Sequence, residues 1–193
     1  MNILKKCLMV VPMIVATVAM AQLPPEKVYQ TGEKLERPMV MTPFVEFNYA
    51  RKMPDLDIET LDGQPFDLSQ YKGKVLILNI WATWCAPCLK EIPELIKLQK
   101  QLKDKNVQIV GVSIDEDPEK LPDFLKKYKM SDFYTLVDPE QESDRVMPLT
   151  IVPTNYVIDG SGNLIGYLPG YLPWEDKDVV PFLEKLAEKY ASK

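Results

Sequence analysis

Val75-Leu76-Ile77-Leu78-Asn79-Ile80-Trp81 is an almost unbroken apolar run of strand length, and Cys85-Ala86-Pro87-Cys88 follows it within one turn of chain. A run of that kind fits a central strand covered on both faces. After Cys85 the pattern changes to helical spacing, with Leu89, Ile92, Leu95, Ile96 and Leu102 near one face until Asn106 stops it. A buried strand that passes through two cysteines into an amphipathic helix predicts an α/β domain with a mixed central sheet flanked by helices.

The flanking chain supplies the remaining elements. Ile58 to Leu61 and Pro65 to Leu68 bracket Asp62-Gly63 and read as an N-terminal β-hairpin extension. Val107 to Ile114 reads as a second buried strand, Pro118 to Lys129 as a helix, and Tyr134 to Val137 as a short strand. Thr154 to Ile158 and Leu164 to Leu168 flank the turn-rich 159–163 and should pair antiparallel. A closing helix is expected over 176–191, with Val179, Val180, Leu183, Leu186 and Ala187 inward. The short duplication Gly-Tyr-Leu-Pro at 166–173 is a strand end followed by a loop, whose Tyr171 and Trp174 could instead form an exposed contact patch.

Residues 53–193 are thus read as the folded domain. Residues 22–52, broken by Pro24, Pro25, Pro38 and Pro43, are read as a linker or a loosely docked arm, with Met39, Val40, Met41, Phe44, Val45 and Phe47 packing on the domain. Residues 1–21 read as an export signal: Lys5 and Lys6, an apolar stretch from Leu8 to Met20, and Ala19-Met20-Ala21 as a cleavage site. The alternative is an uncleaved anchor, although Pro12 interrupts the stretch. The expected location is periplasmic or otherwise extracytoplasmic, and Cys7, ahead of the apolar stretch, carries no chemistry.

The net charge is −5, and two units more negative without Lys5 and Lys6, which makes nucleic acid a poor partner. The chain has no histidine, which removes Ser-His and Cys-His catalysis and any zinc site needing imidazole. No metal and no dissociable cofactor are expected. Without Cys7 the remaining two cysteines form a single pair.

At the start of a helix a thiolate gains from unpaired N–H groups and the helix dipole, so Cys85 is the candidate nucleophile. Cys88, one turn on, can reach its sulfur and is the candidate resolving thiol. A stapling disulfide or half a metal site is the competing reading, but a staple closes a longer loop. Glu91 lies one further turn along the same side. Thiol exchange needs a base for one thiol, and a partly buried carboxylate with a raised pKa can serve. Otherwise Glu91 is a solvated first-turn glutamate. Pro93 is expected to bend the helix.

Trp84 to Pro93, WCAPCLKEIP, resembles the active-site segment of the TlpA/ResA branch of thioredoxin-like proteins in the redoxin/AhpC-TSA-like superfamily. The resemblance runs from about Pro54 to Tyr190 and includes Val152-Pro153-Thr154 and Val157-Ile158-Asp159. It implies a thioredoxin-like fold, and a cis Pro153 that faces the disulfide and leaves the backbone of Val152 free to pair with an extended substrate, beside Trp84 and Pro87. It also implies that Glu91 tunes the thiols and shuttles protons. Asn79 stands where cytosolic thioredoxins carry a buried aspartate. Many relatives carry Tyr-Gly-Val before the proline, where this chain has 145–150, which puts the shape of the substrate groove in doubt.

The expected activity is thiol-disulfide exchange with client proteins bearing thiols or disulfides, in the sense of reduction. The resemblance adds a membrane electron donor and a role in keeping apocytochrome c or other exported thiols reduced. Alternatives are a disulfide-forming oxidant and a peroxiredoxin-like antioxidant, though the paired Cys88 suits the latter poorly. A copper carrier of the Sco kind would require a histidine. From a different class comes a non-catalytic interaction module that keeps the fold.

Overall fold

The computed structural model describes residues 26–54, 56–147 and 150–193. The export signal read over 1–21 lies outside the described residues.

Among the described residues eight strands form one mixed sheet: β1 (Lys27–Gln30), β2 (Val45–Lys52), β3 (Glu59–Thr60), β4 (Val75–Trp81), β5 (Val107–Ser113), β6 (Thr135–Val137), β7 (Thr154–Ile158) and β8 (Asn163–Pro169). Four α-helices accompany them: α1 (Ala86–Gln101), α2 (Leu121–Lys127), α3 (Glu142–Val146) and α4 (Val179–Tyr190). The strand order is β1-β2-β8-β7-β4-β5-β6-β3. β4 runs parallel to β5 and antiparallel to β7, and β5 is parallel to β6. This is the α/β, thioredoxin-like arrangement expected from the sequence.

β4 lies at the heart of the sheet because every one of its side chains is buried, as the apolar run demands. Asn106, left-handed at φ 53°, ends the turn between α1 and β5, a conformation asparagine tolerates better than most residues. The Asp62-Gly63 turn closes as expected, with Gly63 at φ 75° and Thr60 N donating to Gln64 O at 2.8 Å. The hairpin it closes is short: Glu59 bridges Pro65, β3 then pairs with β6 as the edge strand of the sheet, and Leu68–Tyr71 turns into a 3-10 helix.

The arm is where the sequence reading needs correcting. Over 26–52 the chain is neither a linker nor loosely docked, because β2 pairs with β8 and β1 pairs with β2, extending the sheet by two strands. Met41 and Phe44 are fully buried, and Phe44 meets Phe182 of α4 edge to face with centroids 5.9 Å apart. Lys189 Nζ at the end of α4 holds Glu46 Oε1 of β2 at 2.7 Å, and Tyr190 Oη donates to the same oxygen. Met39, by contrast, is exposed. The helix expected over 118–129 divides into a 3-10 turn, Pro118–Lys120, and α2. α1 runs without a break through Pro93.

Candidate active site

β4 delivers the chain to the edge of the core, and α1 begins there. Asp115, just past β5, ties down the intervening turn: Thr83 N donates to its Oδ2 at 3.0 Å, Thr83 Oγ1 to its Oδ1 at 2.6 Å, and Ser113 Oγ to its Oδ2 at 2.7 Å. Cys85 occupies the N-cap of α1 in extended backbone, and its Sγ accepts from Cys88 N at 3.2 Å. A helix N-terminus presents unpaired N–H groups to a capping atom, so a sulfur here is placed to be stabilised as a thiolate. Pro87 sits in the first turn, where the N–H it lacks would have no helical partner.

Cys85 and Cys88 form a disulfide with Cα atoms 5.3 Å apart. Both are buried, whereas Trp84 beside them is 67% exposed and Pro87 is exposed. The Val152–Pro153 peptide bond is cis. The β4–β7 register sets Ile80 against Thr154, so Pro153 and Val152 emerge at the same end of the sheet as Cys85. Pro153 O accepts from Gly170 N at 2.8 Å, Val152 is half-buried, and Ile151 is 50% exposed. A cleft of about 590 Å³ is lined by Trp84 together with Ile114, Leu121, Phe124, Glu116 and Asp117.

Glu91 is fully buried. The buried seam of α1 is Cys88, Glu91, Ile92, Leu95 and Leu98, a spacing that turns the carboxyl into the core together with Cys88. Asn79 of β4 and Asn155 of β7 are direct cross-strand partners, and both reach Glu91 Oε1, Asn79 Nδ2 at 2.8 Å and Asn155 Nδ2 at 3.0 Å. Asn79 Nδ2 also donates to Asn155 Oδ1 at 2.9 Å. Burial pushes the Glu91 carboxyl up from 4.5 to about 7 with Glu94 adding repulsion, against the opposing pull of Asn155, Trp174 and the Leu172 amide. That pull stops short of full hydrogen bonding, since Glu91 Oε2 and Trp174 Nε1 are both buried without a partner.

Three participants escaped the sequence reading. Asn155 stands between Thr154 and Tyr156 inside the expected strand, where its type alone signals no role, and only the β4–β7 register brings it to Glu91. Asp115 gave no signal beyond its place after a strand. Trp174 is not part of an exposed patch: it is 1% exposed, its backbone N–H held by Glu94 Oε2 at 2.9 Å, while Tyr171 Oη reaches Glu94 Oε1 at 2.9 Å. Among the described residues no group of three or more cysteines, aspartates and glutamates is placed to hold a metal ion, and no helix is long and apolar enough to cross a membrane.

Residues 49–166 match the model of the AhpC/TSA family. The chain is 32% identical over 120 residues to the thiol-disulfide oxidoreductase ResA of Bacillus thuringiensis, an alignment covering 62% of this chain and 69% of that protein. It is 33% identical over 137 residues to the thioredoxin-like protein YneN of Bacillus subtilis, covering 69% and 74% respectively. A crystal structure of a thiol:disulfide interchange protein from Chlorobium tepidum superposes with a TM-score of 0.56 at 29% identity, covering 72% of this chain and 97% of that one.

Proposed function

From the premise that this chain belongs to the AhpC/TSA family and is a thiol-disulfide oxidoreductase, we propose that it works outside the cytoplasm as a reductase of client-protein disulfides. The observation that carries this reading is the buried Glu91 carboxyl one turn behind Cys88, with the exposed Trp84 next to Cys85 and the exposed Ile151 at the same end of the sheet.

In the reduced protein the Cys85 thiolate attacks one sulfur of a client disulfide. The client S–S bond breaks, the first client sulfur leaves and takes up a proton, and Cys85 holds the other in a mixed disulfide. Cys88 then gives its proton to the Glu91 carboxylate, and its thiolate attacks Cys85 Sγ. The second client sulfur leaves as a thiolate and is protonated in turn. Two cysteine thiols have become one disulfide and one client disulfide has become two thiols, so two electrons and two protons balance and no dissociable cofactor is required. Val152 and Pro153 offer backbone to an extended client segment, with Trp84 and Pro87 as its apolar floor.

Electrostatics support the reducing sense. A strong oxidant is one whose reduced, thiolate form is stabilised. Here the helix N-terminus favours the Cys85 thiolate, but a carboxyl buried one turn from Cys88 opposes a second negative charge, which weights the balance toward the disulfide and favours giving up electrons. Export rests on the sequence of residues 1–21, and it would place the protein where oxidised clients accumulate and where a membrane electron donor must regenerate the dithiol. Exported thiols such as those of apocytochrome c are the proposed clients.

The direct test is a trap. Cys88→Ser should accumulate a mixed disulfide between Cys85 and a client that dissolves with dithiothreitol, and Cys85→Ser should accumulate none. An unchanged activity in Cys85→Ser would instead identify an interaction module.

A further inference from the structure

The strongest unexplained feature is the distribution of unpaired polar atoms. Among the described residues four buried side-chain atoms lack a partner, and three of them, Glu91 Oε2, Asn79 Oδ1 and Trp174 Nε1, belong to the surroundings of one carboxyl group. Buried polar atoms are nearly always paired, and exceptions point to a group whose protonation or partners change in use.

The other carboxyl oxygen is the opposite case. Glu91 Oε1 accepts from Asn79 Nδ2 at 2.8 Å and from Asn155 Nδ2 at 3.0 Å. The two asparagines are also joined, through Asn79 Nδ2 and Asn155 Oδ1 at 2.9 Å, which fixes both amides. Turning Asn79 over would set its oxygen against two acceptors, and turning Asn155 over would oppose two donors and two acceptors. Because the pair is in direct register on adjacent strands, its spacing is set by the sheet and not by α1.

We propose that Asn79 and Asn155 are positioning residues that clamp Glu91 Oε1 as an acceptor and so reserve Oε2 as the single atom that takes up and releases the exchangeable proton. A hydrogen on Oε1 would point at two N–H donors already at hydrogen-bond distance, whereas Oε2 takes no hydrogen bond of regular geometry and has only Trp174 Nε1 and the Leu172 amide near it. The clamp thus does two things. It fixes which oxygen faces proton traffic, and its two donors favour the ionised form, partly offsetting burial. The titratable groups facing Glu91 are Cys88 and Glu94 from its own helix; β4 and β7 present only the two amides, and the loop after β8 presents Trp174 and the Leu172 amide. This inference rests on the reading of Glu91 as the proton acceptor of Cys88.

The test is the carbon-13 NMR titration of the Glu91 side-chain carboxyl in the oxidised full-length protein, for wild type, Asn155→Leu and Asn79→Leu. Asn155→Ser serves as a gentler replacement should the leucine variants not fold. Each lost donor should raise the Glu91 midpoint by about one pH unit or more, since a hydrogen bond to a charged group is worth that much. In the reduced protein the pH profile of Cys88 alkylation should move the same way, and the asparagine substitutions should leave it unmoved in a Glu91→Gln background. A Glu91 midpoint that stays within a few tenths of a unit in the folded variants, or a Cys88 shift that persists in the Glu91→Gln background, overturns the assignment. If the shifts appear but wild type reduces no client disulfide, the clamp stands and the reductase reading falls.

Discussion

Replacing Glu91 with glutamine removes one titration from the centre of the protein at almost constant volume, and the consequence for stability can be worked out. The carboxyl titrates near 4.5 in an unfolded chain and is raised to about 7 in the fold by burial. Between these values the folded state holds a proton that the unfolded state has lost, so stability falls as pH rises through this window and is level on either side. A shift of roughly 2.5 units corresponds to about 3 kcal/mol. Glutamine keeps an oxygen for the two asparagine donors and never ionises. It also sets an N–H near Trp174 Nε1, a fixed cost of about 1 kcal/mol that does not vary with pH. The pH-dependent difference is therefore the clean quantity. In urea unfolding of the oxidised forms, where the cysteines cannot titrate, the stability of Glu91→Gln relative to wild type should rise by about 3 kcal/mol from roughly pH 4.5 to 8. Parallel stability curves across that range would show that Glu91 titrates normally and would refute the argument from burial.

Other outcomes follow from the same structure. Asp115→Ala leaves the buried side of Thr83 N without its acceptor and should destabilise the domain by about 1–3 kcal/mol in denaturant melts, with a matching rise in proteolysis of the loop before Cys85. Trp84→Ala should raise KM for client protein several-fold while changing unfolding free energy by less than about 0.5 kcal/mol, because the ring is mostly exposed. Removing residues up to 52 strips β1 and β2 from β8 and uncovers Phe182; the truncated protein should aggregate or lose its cooperative melt, and a stable soluble monomer would contradict the arm's place in the sheet.

What could be read in advance, and what could not, divides along physical lines. β4 was legible because a central strand needs apolar residues on both faces, and the cysteine pair was legible because its chemistry depends on spacing over a single turn. Glu91 could be placed one turn from Cys88, but its full burial depended on the register of α1, whose core seam runs through Cys88 and not through Leu89. β1 and β2 were hidden by their pairing. They are stitched to a strand far along the chain with irregular register, and they carry no clean alternation of apolar and polar residues. Asn155 and Trp174 were missed for a related reason, since the meaning of each depends on what a distant segment sets opposite it. α3 was not anticipated either; it is a single short helix whose start is held by Asp138, which accepts from Glu142 N at 2.8 Å and Ser143 N at 2.9 Å.

The central claim is that Cys85 and Cys88 exchange two electrons with client disulfides in the reducing sense. The most direct measurement is the reduction potential of the pair, titrated in thiol-disulfide buffers with tryptophan fluorescence as the readout, Trp81 and Trp84 lying next to the disulfide in the chain. A reversible two-electron transition well below about −200 mV is the predicted result. A value near the roughly −120 mV of strong oxidants, or no reversible transition, would contradict the account.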